Sequence, residues 1–110
     1  MLLFYSTFKY ATIPLGIIFH SPEAGVQTFI YVEDLSRMAK FDNEINLKLV
    51  HCLLLGIKED IESQQNFSIR EFTKYYVNEF RFDDEQTVKT DDITHTIEDL
   101  KKSILSSVNN

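Results

Sequence analysis

Five carboxylates lie within thirteen residues of this chain, in "FRFDDEQTVKTDD". Asp83, Asp84 and Glu85 follow two phenylalanines, and Asp91 and Asp92 precede the last apolar stretch. Carboxylates bind hard divalent cations, but these five lack the alternate positions and the central glycine of a calcium loop. They could instead imitate nucleic-acid phosphates and occupy the basic groove of a nucleic-acid enzyme. The structural alternative is a solvated turn followed by residues that start a helix.

The net charge of the chain is concentrated in the same region. The 110 residues carry a formal charge of −6. Residues 79–99 hold eight acids and two bases, so this segment alone carries −6. The sequence has no cluster of Lys and Arg that could displace counterions from DNA or RNA. We therefore expect an acidic protein with no direct nucleic-acid binding, whose charged segment suits a basic protein partner.

No constellation typical of catalysis, metal binding or cofactor binding is found in the sequence. His20, His51 and His95 stand far apart, with no Cys or carboxylate at the spacing of zinc ligands. His51 and Cys52 are neighbours in a predicted helix, where adjacent side chains point about 100° apart and cannot act as base and nucleophile. The glycines form no phosphate-binding loop, and no serine lies in a nucleophile elbow. The prediction is a non-enzyme without metal or cofactor.

Arg37 and Asp42, in "DLSRMAKFD", are the remaining pair with chemical potential. Arginine suits bidentate binding of a carboxylate or phosphate, and an internal pair with Asp42 or Glu33 is favoured over a ligand role. An enzymatic alternative would need a pocket of convergent polar groups around Arg37 and Asp42. Five tyrosines add side chains that are typical of protein interfaces.

The elements that would position these residues begin with strands. "LLFYSTFKYA" alternates loosely and predicts a strand, and "GIIFH" and "VQTFIYV" predict a hairpin. Pro22 and Gly25 in "SPEAG" suit its turn, because proline presets φ and glycine adopts the left-handed conformation. Pro14 lacks a backbone donor, so we expect it at the start of its strand or on a sheet edge.

Helical periodicity dominates the middle of the chain. "EDLSRMAKFD" predicts a short helical turn, and a long helix is expected from Asp42. Its apolar positions recur at the spacing of one helix face. Gly56 within this helix is expected where the sheet approaches closely. The predicted buried stripe comprises Val50, Leu53, Leu54, Ile57 and Ile61, widened by Ile45, Leu49 and Cys52.

Three further elements are expected toward the end of the chain. In "FSIREF", Ser68 can cap a helix while Phe67 and Phe72 form a hydrophobic staple, and this helix is expected to end near Asn78. "EFRF" alternates like a strand, and "DDEQ" is a turn. A last helix follows Asp91 and Asp92. Residues 1–110 are therefore expected to form one α+β domain: a small antiparallel sheet, made from the N-terminal hairpin or meander plus a later strand, packed on one face by three helices.

The predicted compartment is a reducing cytoplasm. The lone Cys52 lies in the apolar run "LVHCLLLG", which suggests a buried thiol without a disulfide. The first twenty residues lack the basic start and cleavage site of a signal peptide. No stretch approaches eighteen uninterrupted apolar residues, so no membrane span is expected.

Four stretches of the chain resemble a family of small bacterial proteins: "LGIIFHSPEAG", "DLSRMAKFDNEIN", "GIKEDI" at the end of the long helix, and "YYVNEFRF". They occur in matching order from about Ile13 onward. The family is catalogued as domain of unknown function three thousand and thirty-seven, and its members are often encoded beside a HipA-like kinase. The resemblance therefore implies a partner role in a bacterial two-gene unit.

Individual positions of the resemblance both match and depart from the family pattern. Gly16, Arg37, Phe41 and Asp42 match recurring positions of the family. Family members typically carry a Gly-Glu pair and an Asn just before the glycine of the second strand. Here "ATIPLG" has no Glu, and Leu15 stands where the Asn would fall.

Two functions are therefore predicted, with an enzyme held as a third and less favoured alternative. The first is a non-catalytic protein-protein interaction module, an accessory or regulator of a bacterial kinase-like partner. The second is a phage or mobile-element inhibitor of a defence nuclease that uses the acidic segment as a nucleic-acid mimic. Aromatic strands beside Pro14 also predict a homodimer formed by edge pairing.

Overall fold

A computed structural model of the chain describes residues 1–76 and 78–105 and confirms the predicted α+β class. Five strands and four helices are formed within these residues. A single turn of 3-10 helix, Thr73–Tyr75, follows the third helix. The elements are β1 (Leu2–Tyr10), β2 (Ile13–Ser21), β3 (Val26–Tyr31), α1 (Ser36–Phe41), α2 (Leu47–Ser63), α3 (Ile69–Phe72), β4 (Phe80–Phe82), β5 (Gln86–Lys89) and α4 (Ile93–Leu105).

The strands form one antiparallel sheet in the order β3-β2-β1-β4, with β5 also paired to β1. Strand β4 pairs with the end of β1, from Phe8 to Tyr10, and β5 pairs with its beginning, from Leu2 to Tyr5. Because β2 occupies the other side of β1, β4 and β5 follow each other along a single sheet edge. The sequence prediction missed β5, whose first residue was assigned to the "DDEQ" turn.

The strand β2 lies in the interior of the sheet, between β1 and β3. Pro14 is its second residue, as predicted, and lies opposite Lys9 beside a register shift in the β1–β2 ladder. From Gly16 onward β2 is paired on both sides and offers no free edge, while the predicted homodimer stays a prediction. The hairpin turn between β2 and β3 is confirmed, and Gly25 adopts a φ of 68° there.

Helices cover both faces of the sheet, whereas the sequence predicted that they would share one face. On one face, Phe8, Ile18 and Phe29 pack with the buried stripe of α2. On the other, Leu3 and Ile17 pack with α4. The run "IPLGIIFH" in β2 is almost continuously apolar, which is typical of a strand buried on both sides. Alternate residues of the central strands are apolar on both faces, so a second helix is needed to cover them.

Helix α2 buries a narrower stripe than the sequence predicted. Val50, Leu54, Ile57 and Ile61 are buried, as expected. Leu49 and Cys52 are exposed, so their predicted place in the core is wrong. The helix packs mainly along β3, the outermost strand, so only a thin stripe of its surface meets the sheet. It begins at Leu47, after Asn46 accepts hydrogen bonds from the backbone N–H groups of Lys48 and Leu49.

Two glycines differ from each other in their surroundings. A Cβ at Gly16 would lie 2.5 Å from the ring of Phe29 and 3.0 Å from the backbone oxygen of Ile30. Gly16 therefore permits the buried ring to cross the strand. A Cβ at Gly56 would meet no atom within 4 Å, so the predicted close approach of the sheet at Gly56 is wrong.

The predicted start of α3 is confirmed, but the helix is shorter than expected. The Ser68 hydroxyl accepts a hydrogen bond from the Glu71 N–H at 3.4 Å, and the rings of Phe67 and Phe72 lie 5.8 Å apart. The α-helix ends at Phe72 and passes into the 3-10 turn. Tyr76 is extended, so the helix does not continue to Asn78; Val77 lies outside the described residues.

No helix within residues 1–76 and 78–105 is long and apolar enough to cross a membrane.

Candidate functional site

The acidic segment does not form a single site, because β5 separates its carboxylates into two groups. Asp83, Asp84 and Glu85 precede β5, and Asp91 and Asp92 follow it. At about 3.3 Å per extended residue, the six positions from Glu85 to Asp91 span at most roughly 20 Å, with the strand between them. The structure therefore does not bring the five predicted residues together around one ligand. Among the described residues, no group of three or more His, Cys, Asp or Glu side chains could hold a metal ion.

Two of the five carboxylates serve the fold. The Asp83 carboxylate lies 2.7 Å from the Lys9 ammonium. Its backbone continues the ladder, since its N–H donates to the Thr7 oxygen at 2.8 Å and its oxygen accepts from the Ser6 hydroxyl at 2.6 Å. The Asp92 carboxylate accepts from the His95 N–H at 3.0 Å at the start of α4. The predicted role of Asp92 in starting the last helix is thus confirmed.

The remaining three carboxylates face solvent or the sheet surface. Asp84 and Asp91 are exposed, and Glu85 is half-buried. Glu85 lies near His20, whose ring packs edge-on against Phe67 with centroids 5.2 Å apart. Burial lowers the pKa of His20, and the charge of Glu85 acts in the opposite direction. Asp84 and Glu85 thus lie between β4 and β5 along this sheet edge, and Asp91 lies beyond the end of β5.

Asp42 is held by an aromatic side chain of the sheet. The Tyr10 hydroxyl donates to Asp42 at 2.8 Å, and Asp42 also accepts from the Glu44 N–H at 3.1 Å. The hydrogen bond to Asp42, with burial and the nearby Glu79 charge, raises the pKa of Tyr10 to about 12. Asp42 thus anchors the end of α1 to β1. The ion pair between Arg37 and Asp42 stays a prediction. The Arg37 side chain is exposed, and it does interact with other groups of the protein.

Two of the most exposed large apolar side chains lie around the start of α2, and a third, Tyr75, lies in the 3-10 turn. Phe41 is 60% exposed and Leu49 is 67% exposed. A shallow groove of about 240 Å³ opens between α2 and β4. We call this groove together with Phe41 the α2 surface. The groove is lined by Ile45, Asn46, Leu49, Val50, Leu53 and Phe80.

The α2 surface is held together by ring contacts with Tyr10. The Tyr10 ring lies edge-on to Phe41, with centroids 6.1 Å apart, and 4.8 Å from the ring of Phe80. Aromatic pairs at these distances are favourable and restrict side-chain motion. Phe41 and Phe80 thus pack against the same tyrosine, and Phe80 lines the groove together with Leu49. The sequence prediction missed this surface because it assigned Leu49 to the core.

His51 and Cys52 do not form a catalytic pair in the structure. Both side chains are exposed on α2, and the ring of His51 lies against Tyr31 with centroids 6.3 Å apart. Adjacent positions on a helix diverge by about 100°, which keeps the thiol away from the imidazole.

Comparison with known protein families, curated proteins and solved structures gave no significant match for this chain. The surfaces described above are therefore the basis for assigning a function.

Proposed function

We propose that this chain is a non-catalytic protein-protein interaction module that binds a protein partner through the α2 surface. The observation that carries the proposal is the exposure of Phe41 and Leu49 beside an apolar groove. Single exposed apolar residues are common, but a contiguous group with aromatic members is typical of interfaces. The partner suggested by the family resemblance is a bacterial kinase-like protein, because members of that family are often encoded beside a HipA-like kinase.

The contacts within the α2 surface support a preformed docking site. Because Tyr10 packs against both Phe41 and Phe80, little side-chain freedom remains to be lost on binding. The groove wall is apolar, so a partner would gain most by inserting an aliphatic or aromatic side chain between Leu49 and Phe80. Phe41 would then cover the rim of the contact.

The direct test measures, by titration calorimetry, binding between the purified chain and a HipA-like kinase from the same host. Leu49→Ser and Phe41→Ser each remove an exposed apolar contact and should weaken binding at least tenfold. Leu55→Ser is the matched control, because Leu55 is also exposed on α2 but does not line the groove. No binding by the unmodified chain, or equal binding by the Leu49 and Leu55 variants, would reject the proposal.

The second candidate function is an inhibitor of a defence nuclease that presents a nucleic-acid mimic. Asp84 and Asp91 favour it, since both carboxylates are exposed. The separation of the two acidic groups restricts any mimicry to widely spaced charges. A decisive experiment reverses Asp84, Glu85 and Asp91 to lysine while leaving Asp83 and Asp92 in place for the fold. Inhibition that survives these reversals, or that is unaffected by added salt, would eliminate this candidate.

A further inference from the structure

The two edges of the sheet differ in whether a helix closes them. At the β3 edge, Lys58 of α2 donates to the Phe29 backbone oxygen at 3.3 Å. Glu62 of α2 accepts from the Phe29 N–H at 3.5 Å and from the Thr28 hydroxyl at 2.6 Å. Lys58 and Glu62 also pair with each other at 2.6 Å. Side chains of α2 thus occupy the positions that a neighbouring strand would take, which protects this edge from pairing.

The β5 edge is open along its outer side. The backbone N–H and oxygen of Thr90 are both bonded to Met1, at 2.8 and 2.6 Å. In an antiparallel ladder, the backbone N–H and C=O groups of successive residues point alternately toward the paired strand and away from it. Thr90 is bonded to Met1, and Val88 lies opposite Leu3, so Val88 and Thr90 face β1. The backbone groups of Thr87 and Lys89 therefore face away from β1. No other strand of the described residues pairs with β5.

Acidic groups stand at both ends of this open edge. Asp84 and Glu85 lie before β5, and Asp91 lies after it, six positions from Glu85. An incoming strand with basic residues about six positions apart would match both ends. Lys89 is the one basic side chain within β5. The charge pattern along the edge therefore selects an extended segment with cationic ends and a neutral centre.

A second copy of this chain fits the edge poorly. Antiparallel pairing of two β5 strands places Thr87 of one copy opposite Lys89 of the other. The same register brings Glu85 beside Asp91 of the second copy at both ends of the contact. Like charges in opposed positions are destabilising, so self-pairing in this register meets repulsion twice. A segment from a different protein that carries basic residues at both ends has opposite charges at both of these contacts and avoids that repulsion.

We propose that β5 is a strand-addition site that accepts an extended segment with basic ends from a partner protein. Main-chain hydrogen bonds to Thr87 and Lys89 supply the affinity, and the carboxylates of Asp84, Glu85 and Asp91 supply the selection for basic ends. This site goes beyond the α2 surface and does not depend on the same partner. Failure of either proposal therefore leaves the other standing.

The test uses a synthetic peptide, acetyl-Arg-Thr-Val-Thr-Val-Thr-Arg-amide, whose arginines match the spacing of Glu85 and Asp91. It is added to the isotope-labelled chain, and binding is followed by NMR shifts and amide hydrogen exchange. The amides of Thr87 and Lys89 should be protected on binding, whereas those of Gln86 and Val88 should change little, because they already bond to β1. A peptide with Glu in place of Arg should bind at least tenfold more weakly.

Two variants separate the backbone contribution from the charge contribution. Thr87→Pro removes an outward N–H without removing a bond to β1, and should weaken binding at least tenfold. The triple variant Asp84→Asn, Glu85→Gln, Asp91→Asn should weaken it about tenfold and reduce its salt dependence. A matched variant, Glu33→Gln, Glu44→Gln, Glu59→Gln, changes the net charge equally and should bind as the unmodified chain does. Circular dichroism verifies that each variant is folded.

Each contrary outcome overturns the proposal. The strand-addition site is rejected if the arginine peptide does not bind at millimolar concentration, or if its shifts map to the α2 surface or α4. It is also rejected if Thr87→Pro binds normally while folded. If Thr87→Pro does not fold, protection at Thr87 and Lys89 in the unmodified chain decides the backbone role. Equal binding by the two triple variants rejects selection by the acidic ends.

Discussion

At the scale of single residues, Gly16 and Gly56 occupy opposite environments although neither needs a positive φ. Gly16 lies in β2 under the buried ring of Phe29, whereas Gly56 faces open solvent on α2. The cost of a methyl group at each position is therefore set by packing at Gly16 and by helix propensity at Gly56. The two positions form a matched pair for experiment.

We predict that Gly16→Ala lowers the free energy of unfolding by about 1–3 kcal/mol, because the added methyl group overpacks against Phe29 and the Ile30 backbone. Gly56→Ala should raise it by about 1 kcal/mol, since alanine is the better helix former and has space. Chemical denaturation of both variants measures the two changes. Equal effects of the two substitutions would contradict the packing at Gly16.

A second residue-scale prediction concerns the Tyr10–Asp42 hydrogen bond. Tyr10 should ionise with a pKa of about 12, and Asp42→Asn should lower that pKa, because the acceptor charge is removed. The raised pKa means that this contribution to stability is complete below the ordinary tyrosine pKa near 10 and is lost as pH rises through about 12. Ultraviolet titration, with Tyr10→Phe subtracted to isolate this phenol, measures it. An unchanged titration in Asp42→Asn would show that Asp42 does not hold the proton on Tyr10.

At the scale of elements, α2 has two roles that its sequence combines on different faces. One stripe, from Val50 to Ile61, packs into the core. A neighbouring stripe carries Lys58 and Glu62, which close the edge of β3. The helix therefore covers one face of the sheet and also bonds to the outer backbone of β3, where a further strand could otherwise pair. Its exposed Leu49 takes part in neither role and belongs to the α2 surface.

We predict that Glu62→Gln destabilises the chain by about 1 kcal/mol at neutral pH, by weakening charged hydrogen bonds at the β3 edge. Burial acts to raise the pKa of Glu62, but Lys58, Thr28 and the Phe29 N–H together lower it. The stabilisation is thus present above the ordinary Glu range and is lost as pH falls through the lowered pKa. Denaturation of both proteins across acid pH measures this.

The control for the edge is Glu59→Gln, since Glu59 is exposed on α2 and makes no described contact with β3. It should leave stability and the amide exchange of Phe29 unchanged. A stability difference between Glu62→Gln and the unmodified chain that persists at acid pH would contradict the charge argument.

At the scale of the whole molecule, charge and edge geometry act together. Residues 79–99 carry the whole net charge of −6, and the structure places much of this segment along a sheet edge that no helix within residues 1–76 and 78–105 closes. An open edge invites self-pairing, and like charges at its ends oppose it. The predicted homodimer remains a prediction that this arrangement disfavours at β5.

We predict that neutralising Asp84, Glu85 and Asp91 increases self-association, because the repulsion between opposed β5 ends is removed. Light scattering over a range of concentrations compares this triple variant with the Glu33, Glu44 and Glu59 triple variant of equal net charge. If both associate equally, net charge rather than the position of the acids controls assembly. Dimerisation of the unmodified chain at low salt would show that the β5 acids do not prevent pairing.

The sequence predicted local features accurately where a few neighbouring residues carry the signal. The hairpin turn at Gly25, the Ser68 cap with its Phe67–Phe72 staple, and the Asp92 start of α4 all depend on contacts within a few positions. Strand β5 was missed because Gln86 to Lys89 has one apolar side chain, Val88, too few to show alternation. Its strand conformation depends on pairing with β1, which is more than eighty positions away in the chain.

The sequence by itself determined the α+β class, the acidity of the last third, and the starts of α3 and α4, because composition, periodicity and capping are local properties; the long helix α2, expected from Asp42, begins instead at Leu47 after the cap Asn46. Only the tertiary structure decided which faces and edges are covered. In the structure, α4 covers the second face of the sheet, and Leu49 and Cys52 are exposed. The acidic segment is divided by strand β5. These outcomes depend on which strand each helix packs against, and hydrophobic periodicity does not specify that choice.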